Sequence, residues 1–177
     1  MSKLKIGDKA IHFALRGVDN REHSLAEYHA KKVVVVFFSC NHCPYVQAWE
    51  DRIIRLQADY ASRGVQFIAI NANDAGKYPE DGFPKMKERA RQKKFNFPYL
   101  YDETQAIAKY YDAQNTPEFF VFDQNRLLRY HGGLDDNFDD PSAVKHFYLR
   151  DALEAVLTGL APAVAETPLV GCSIKWK

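Results

Sequence analysis

The sequence has almost no net charge: 24 Lys and Arg stand against 23 Asp and Glu, a formal +1 in 177 residues. So neutral a balance gives no electrostatic reason to expect nucleic acid or an anionic membrane as partner. The most basic stretch, "KMKERARQKK" (Lys85 to Lys94), is interrupted by a glutamate and reads as the solvated face of a helix. No apolar run approaches the length that spans a bilayer, and the amino-terminal "MSKLKIGDKAIHFAL" shows no signal-peptide pattern. A cytoplasmic protein is therefore expected. Internal repeats, low-complexity tracts and linkers are also missing, which predicts a single domain over residues 1–177. Cysteine is scarce, a close pair (Cys40, Cys43) and one far away (Cys172). Under reducing conditions such a pair points to catalysis or metal binding rather than to a structural staple.

What is present is an alternation of strand and helix patterns. Residues 11 to 16 and 22 to 25 flank the turn-rich "GVDN" and predict an amino-terminal hairpin. Val33 to Phe38 form a continuous β-branched and aromatic run, the mark of a strand buried on both faces. Val46, Trp49, Ile53, Leu56 and Tyr60 then recur at helical steps, with Gly64 as the stop, and "VQFIAI" (Val65 to Ile70) is a second buried strand. Strand, helix, strand makes a βαβ unit with parallel strands. Beyond the polar loop Asn71 to Gly82, a helix is predicted from about Pro84 to Lys94, then a short strand in "FPYLYD". Asp102 and Gln105 resemble a capping box for a helix carrying Ile107, Tyr110 and Tyr111. "NTPEFFVFDQNRLLRYHGG" reads as two strands joined at "DQN". Asp140-Pro141 looks like the start of a last helix that Gly159 ends, and the tail "TPLVGCSIKWK" carries no strong pattern. The sum is an α/β sandwich around a mixed sheet.

The pair lies in "SCNHCPYV", where the first buried strand stops and a helix starts. Free N–H groups and the positive end of the helix dipole at such a junction favour a thiolate, so Cys40 is expected to have a lowered pKa. His42, when protonated, would stabilise that thiolate further. On this reading Cys40 attacks and Cys43 resolves. "CNHC" also reads as half of a zinc site, or as two inert thiols. No second close pair completes a zinc site, and the helix start argues against inertness, so a redox pair is favoured.

A buried strand, CxxC, an apolar-striped helix and a distant "TP" entering a hairpin resemble the thioredoxin fold, over roughly residues 5 to 160. The amino-terminal hairpin, the segment after Ile70, "CNHCPYV", "TPEFFVFD" and "GCSIKWK" are similar to the redoxin, or AhpC/TSA peroxiredoxin-like, branch of that superfamily. The resemblance implies a thioredoxin-like α/β fold, its central mixed β-sheet flanked by helices, with an N-terminal β-hairpin extension. It also implies a cis peptide bond at Thr116-Pro117, with Pro117 beside the cysteines and presenting backbone to an extended substrate.

Peroxiredoxins carry a Pro-x-x-x-Thr-x-x-Cys pattern. Aligned on Cys43, the threonine position is Cys40 and the proline position is Val36, so both supporting residues are missing. That favours dithiol–disulfide exchange over rapid peroxide reduction, and peroxidase activity is the alternative. A metal-binding or non-catalytic module, holding copper or zinc through Cys40, Cys43 and His42, is the third reading. The buried acid of thioredoxins corresponds here to Val34, so Glu118 and His42 are candidates for the base serving Cys43. Asn41, Thr116 and Glu118 are expected to line the substrate site. Cys172 is a candidate accessory thiol whose role stays open. The loop after Ile70 is taken as a specificity element, since ligands bind at the carboxyl edge of parallel strands. The expected chemistry needs no cofactor and no metal; its partners would be a protein disulfide, or a small-thiol or peroxide substrate, and an unidentified thiol electron donor.

Overall fold

The structure, a computed structural model, describes residues 4–177. The amino-terminal hairpin forms from β1 (Ala14–Gly17) and β2 (Glu22–Ser24). Next come β3 (Val33–Ser39), α1 (Pro44–Tyr60), β4 (Val65–Asn71), α2 (Phe83–Lys93), β5 (Tyr99–Tyr101) and α3 (Ala106–Tyr111). The chain continues through β6 (Asn115–Thr116), β7 (Glu118–Phe122), β8 (Leu128–Gly132), α4 (Tyr148–Leu157) and β9 (Cys172–Ser173). Seven strands form one sheet in the order β2-β1-β5-β4-β3-β7-β8, and β6 pairs with β9 apart from it. As the βαβ pattern requires, β3 and β4 are parallel; β5 joins β4 in parallel, and β7 joins β3 antiparallel.

The central strand explains its own composition. All of β3 is buried, and its alternate residues feed two cores. Val33, Val35 and Phe37 face a layer with Trp49 and Ile53 of α1 and Leu149 and Leu153 of α4. Val34, Val36 and Phe38 face the other side, with Phe13, Tyr111 and Leu128. Helix α1 buries Val46, Trp49, Ile53 and Tyr60. It is joined to β4 by a turn that ends at Gly64, whose φ of 84° a side chain would resist. Buried Gln57 donates to Val65 O (3.0 Å) and accepts from Phe67 N–H (2.6 Å), which fixes α1 against β4. Among the described residues no helix is long and apolar enough to cross a membrane.

Three expectations need correction. The side chains of Asp102 and Gln105 do not form a reciprocal box: Asp102 accepts from Ala108 N–H, while Gln105, at φ 65°, donates to Ala72 O and Lys175 O. The segment at Pro141 makes one 3₁₀ turn, in which Asp140 accepts from Ser142 N–H, and the last helix begins at Tyr148. The tail, whose pattern looked weak, is anchored: Ile174 is buried and its N–H donates to Gln114 O (2.9 Å), and Lys175 N–H donates to Asn73 Oδ1 (2.9 Å). Short strands held mainly by backbone partners leave little periodicity to read.

Candidate active site

The end of β3 and the start of α1 bring Cys40 and Cys43 together as free thiols, both buried. Cys43 is the residue that caps α1, with Pro44 in the first helical turn. Thr116 lies over both: its Oγ1 is 3.5 Å from Cys40 Sγ and its carbonyl oxygen 3.5 Å from Cys43 Sγ. The Thr116-Pro117 bond is cis, as the resemblance implied. Cys172 is directly across from Thr116 in the β6–β9 pair, half-buried and packed on the two other cysteines. The close approach depends on Gly171, where an added Cβ would fall 2.2 Å from Thr116 O. Cys172, 129 residues beyond Cys43 in the chain, therefore joins the close pair in one cluster.

The electrostatics reverse one expectation. Cys43, not Cys40, has the lowered pKa: a hydrogen bond from Cys40 holds its thiolate against the cost of burial, assisted by Cys172 and by the Val46 N–H. Cys40 is pushed up, first by that same bond to Cys43, then by burial and by the charge of Asp81. Helical geometry starts after Cys43, which puts its sulfur at the first turn near the Val46 N–H and leaves Cys40 outside that turn.

Asp81 is the functional neighbour that sequence reasoning missed. It is fully buried, accepts from Asn41 N–H (2.7 Å) and Asn73 Nδ2 (2.9 Å), and makes an ion-pair contact with His42 Nδ1. His42 thus faces Asp81 and stacks on Tyr78 (ring planes 4° apart). The expected loop after Ile70 does reach the site, with Asp81 and Tyr78 as its contribution. Asp81 sits in a run of polar residues with nothing local to separate it from Asp74 or Glu80, and only the fold brings it to the cysteines.

Two predicted substrate residues are committed elsewhere. Asn41 is buried: its Nδ2 donates to Glu80 O, its Oδ1 accepts from the Tyr99 hydroxyl (2.8 Å), and its carbonyl accepts from Gln47. Glu118 is fully buried beneath the strand, not at its exposed end. Oε2 accepts from Gln114 and Asn115 N–H (2.7 and 2.9 Å), and Oε1 pairs with His131 Nε2 (2.6 Å). Neither side chain is free to meet a substrate, and Glu118 is not free to serve as the base for Cys43. The ligand atoms of Cys40, His42 and Asp81 lie within 4.8 Å of one another, the one such group of metal-ligand types among the described residues. Both oxygens of that carboxylate already have N–H partners or His42. Near the tail, a recess is lined by Trp49, Phe138, Tyr148, Pro168 and Val170 together with Asp135 and Asp136.

The profile of the AhpC/TSA family matches residues 6–131, which contain the hairpin, the CxxC junction and the β7–β8 pair. The chain belongs to the AhpC/TSA family. Within this family setting, it is similar to a structure of an uncharacterized conserved protein from Geobacillus kaustophilus, with 43% identity and a TM-score of 0.93, covering 98% of this chain and 93% of that one. A hypothetical protein from Sinorhizobium meliloti is 34% identical with a TM-score of 0.93, covering 99% and 97%. A more distant relative is the thiol-disulfide oxidoreductase ResA of Geobacillus thermodenitrificans, 25% identical over 126 residues, which is 70% of this chain and 67% of that protein.

Proposed function

We propose that this AhpC/TSA protein is a thiol–disulfide oxidoreductase, its whole chain (1–177) acting as one redoxin domain that exchanges a Cys40–Cys43 dithiol and disulfide. The observation that carries the reading is the site itself: two free thiols three residues apart at a helix start, both against Thr116, with the Cys43 pKa lowered. The distant relation to ResA, by its name a thiol-disulfide oxidoreductase, supports the same chemistry. In the reduced protein the proton stays on Cys40 and the electron pair of the Cys43 thiolate is ready to displace a sulfur. Thr116 and Pro117 form the wall over the pair, and His42 with Asp81 sets the charge beside Cys40. Electrons travel on sulfur, so the reaction needs no cofactor. The partners we propose are a protein or small-molecule disulfide and a cellular thiol donor; the setting we propose is the cytoplasm.

Peroxide reduction is the second reading, favoured by the acidic Cys43 ahead of Pro44 at the helix start. One titration separates the two. The protein is equilibrated across a graded glutathione series, free thiols are alkylated and each cysteine is mapped by mass, with and without equimolar peroxide. A cooperative two-electron Cys40–Cys43 transition with sluggish peroxide oxidation is the expected result. Fast peroxide consumption through a sulfenic acid on Cys43 would assign a peroxidase instead.

A further inference from the structure

A two-cysteine exchanger needs one sulfur that a partner can reach. Here Cys40 and Cys43 are 2% and 0% exposed. Thiol–disulfide exchange requires the incoming sulfur to approach the one under attack, and Thr116, the head of α1 and the tail close that approach. Cys172 is the half-exposed member of the cluster. It is held in place rather than left on a loose end. β9 pairs with β6, Gly171 lies against the Thr116 carbonyl, and the next residues are tied down by Ile174 and Lys175. Since Thr116 touches Cys43 and stands opposite Cys172, the pairing sets the Cys172 and Cys43 thiols side by side.

We propose that Cys172 is a third redox thiol, which exchanges the disulfide with Cys43 and carries it to the surface where a partner thiol meets it. The proposal rests on the disulfide-exchange reading above. In the oxidised protein the Cys172 thiolate attacks Cys43 Sγ. The Cys43–Cys172 bond forms as the Cys40–Cys43 bond breaks, and the displaced Cys40 sulfur takes up the proton that Cys172 gave up. One disulfide replaces another, with no electrons leaving the protein. An external thiol then attacks the Cys172 sulfur, forming a mixed disulfide and releasing Cys43 as a thiolate. A second external thiol frees Cys172, so two thiols become one external disulfide and the protein gains two electrons. Run in reverse, the same steps reduce an external disulfide to two thiols and reload the buried pair as the Cys40–Cys43 disulfide.

The charges suit this order. The Cys172 thiol is held above the ordinary range first by burial and then by the neighbouring Cys43 thiolate. The second cause is gone once Cys43 is in a disulfide, so Cys172 becomes more acidic in the state where it must attack. Cys43, with its lowered pKa, is the better leaving group when the external thiol arrives.

Two measurements test the relay. Cys40→Ser retains Cys43 and Cys172; after oxidation with glutathione disulfide and acid trapping, mass mapping is expected to find an intramolecular Cys43–Cys172 disulfide in the monomer. In rapid mixing of the oxidised protein with reduced glutathione, Cys172→Ala is expected to slow reduction of Cys40–Cys43 by about tenfold or more. Cys172→Ser, which keeps a polar group opposite Thr116, should be slowed alike. The proposal is overturned by glutathione adducts without the internal bond in Cys40→Ser. It is also overturned by alanine and serine variants reduced as fast as the parent, or by slowing in the alanine variant alone, which marks a packing defect. A parent chain that never acquires a Cys40–Cys43 disulfide in the glutathione series would instead remove the underlying reading.

Discussion

Glu118 shows how much one side chain can organise. Its two oxygens hold the N–H groups of Gln114 and Asn115, which lead into β6, and the ring of His131 on β8. Glu118→Ala would leave the buried His131 ring and the part-buried Gln114 and Asn115 N–H groups without their acceptor, so we expect a loss of about 2–4 kcal/mol in urea unfolding. The thiol pair makes a second residue-scale prediction. Between the depressed pKa of Cys43 and the ordinary thiol value of about 8.5, the unfolded chain carries a proton that the folded chain lacks, and stability rises with pH. Above about 8.5 the sign reverses: unfolded Cys40 ionises while folded Cys40, raised by Cys43, burial and Asp81, keeps its proton. The stability of the reduced protein relative to a Cys40→Ser/Cys43→Ser variant should therefore peak near the ordinary thiol pKa. A monotonic difference across urea titrations at several pH values would contradict this assignment of the proton.

At the scale of elements, the site is a meeting of segments that are weak alone. β6 and β9 have two residues each, and neither is stable without the other and the polar loop beneath. The loop supplies Asp81, and the tail is stitched to it through Asn73 and Asp74, whose N–H donates to Lys175 O (2.8 Å). Gly171→Ala forces a methyl group into the Thr116 carbonyl and should cost about 1–3 kcal/mol, read as a shift in urea midpoint. If the tail docks as described, the same variant alkylates faster at Cys172 and exchanges the Ile174 amide hydrogen faster. An unchanged exchange rate at Ile174 would mean that the tail does not depend on this contact.

The whole molecule is a sheet with two apolar faces, and the site hangs on its central strand. Phe37, one strand residue pair before the cysteines, stacks on Phe119 (centroids 5.1 Å apart) and meets the edge of Phe97. Phe37→Ala should destabilise by about 3–5 kcal/mol in chemical denaturation, since a packed ring is replaced by a cavity that the sheet cannot close. A loss under about 1 kcal/mol would show that the core collapses around the gap. The link from core to site is direct: fully buried Tyr99 on β5 donates to Asn41 Oδ1, so the strand layer also holds the residue between the cysteines.

Local pattern was enough for the architecture. Val33 to Phe38 and Val65 to Ile70 are strands because β-branched and aromatic runs bury on both sides, and the stripe from Val46 to Tyr60 is a helix because its period is helical. Cys40, Cys43 and Thr116-Pro117 were legible as a site for the same reason, each marked by a short motif. Asp81, the anchoring of Cys172 and the roles of Asn41 and Glu118 were not. Each depends on which backbone groups and charges the fold brings near, and no spacing in the chain encodes that. The proton's place is the clearest case: the motif names two thiols, and only the fold, which buries Cys40 beside Asp81 and brings Cys172 and the Val46 N–H to Cys43, decides which one gives it up.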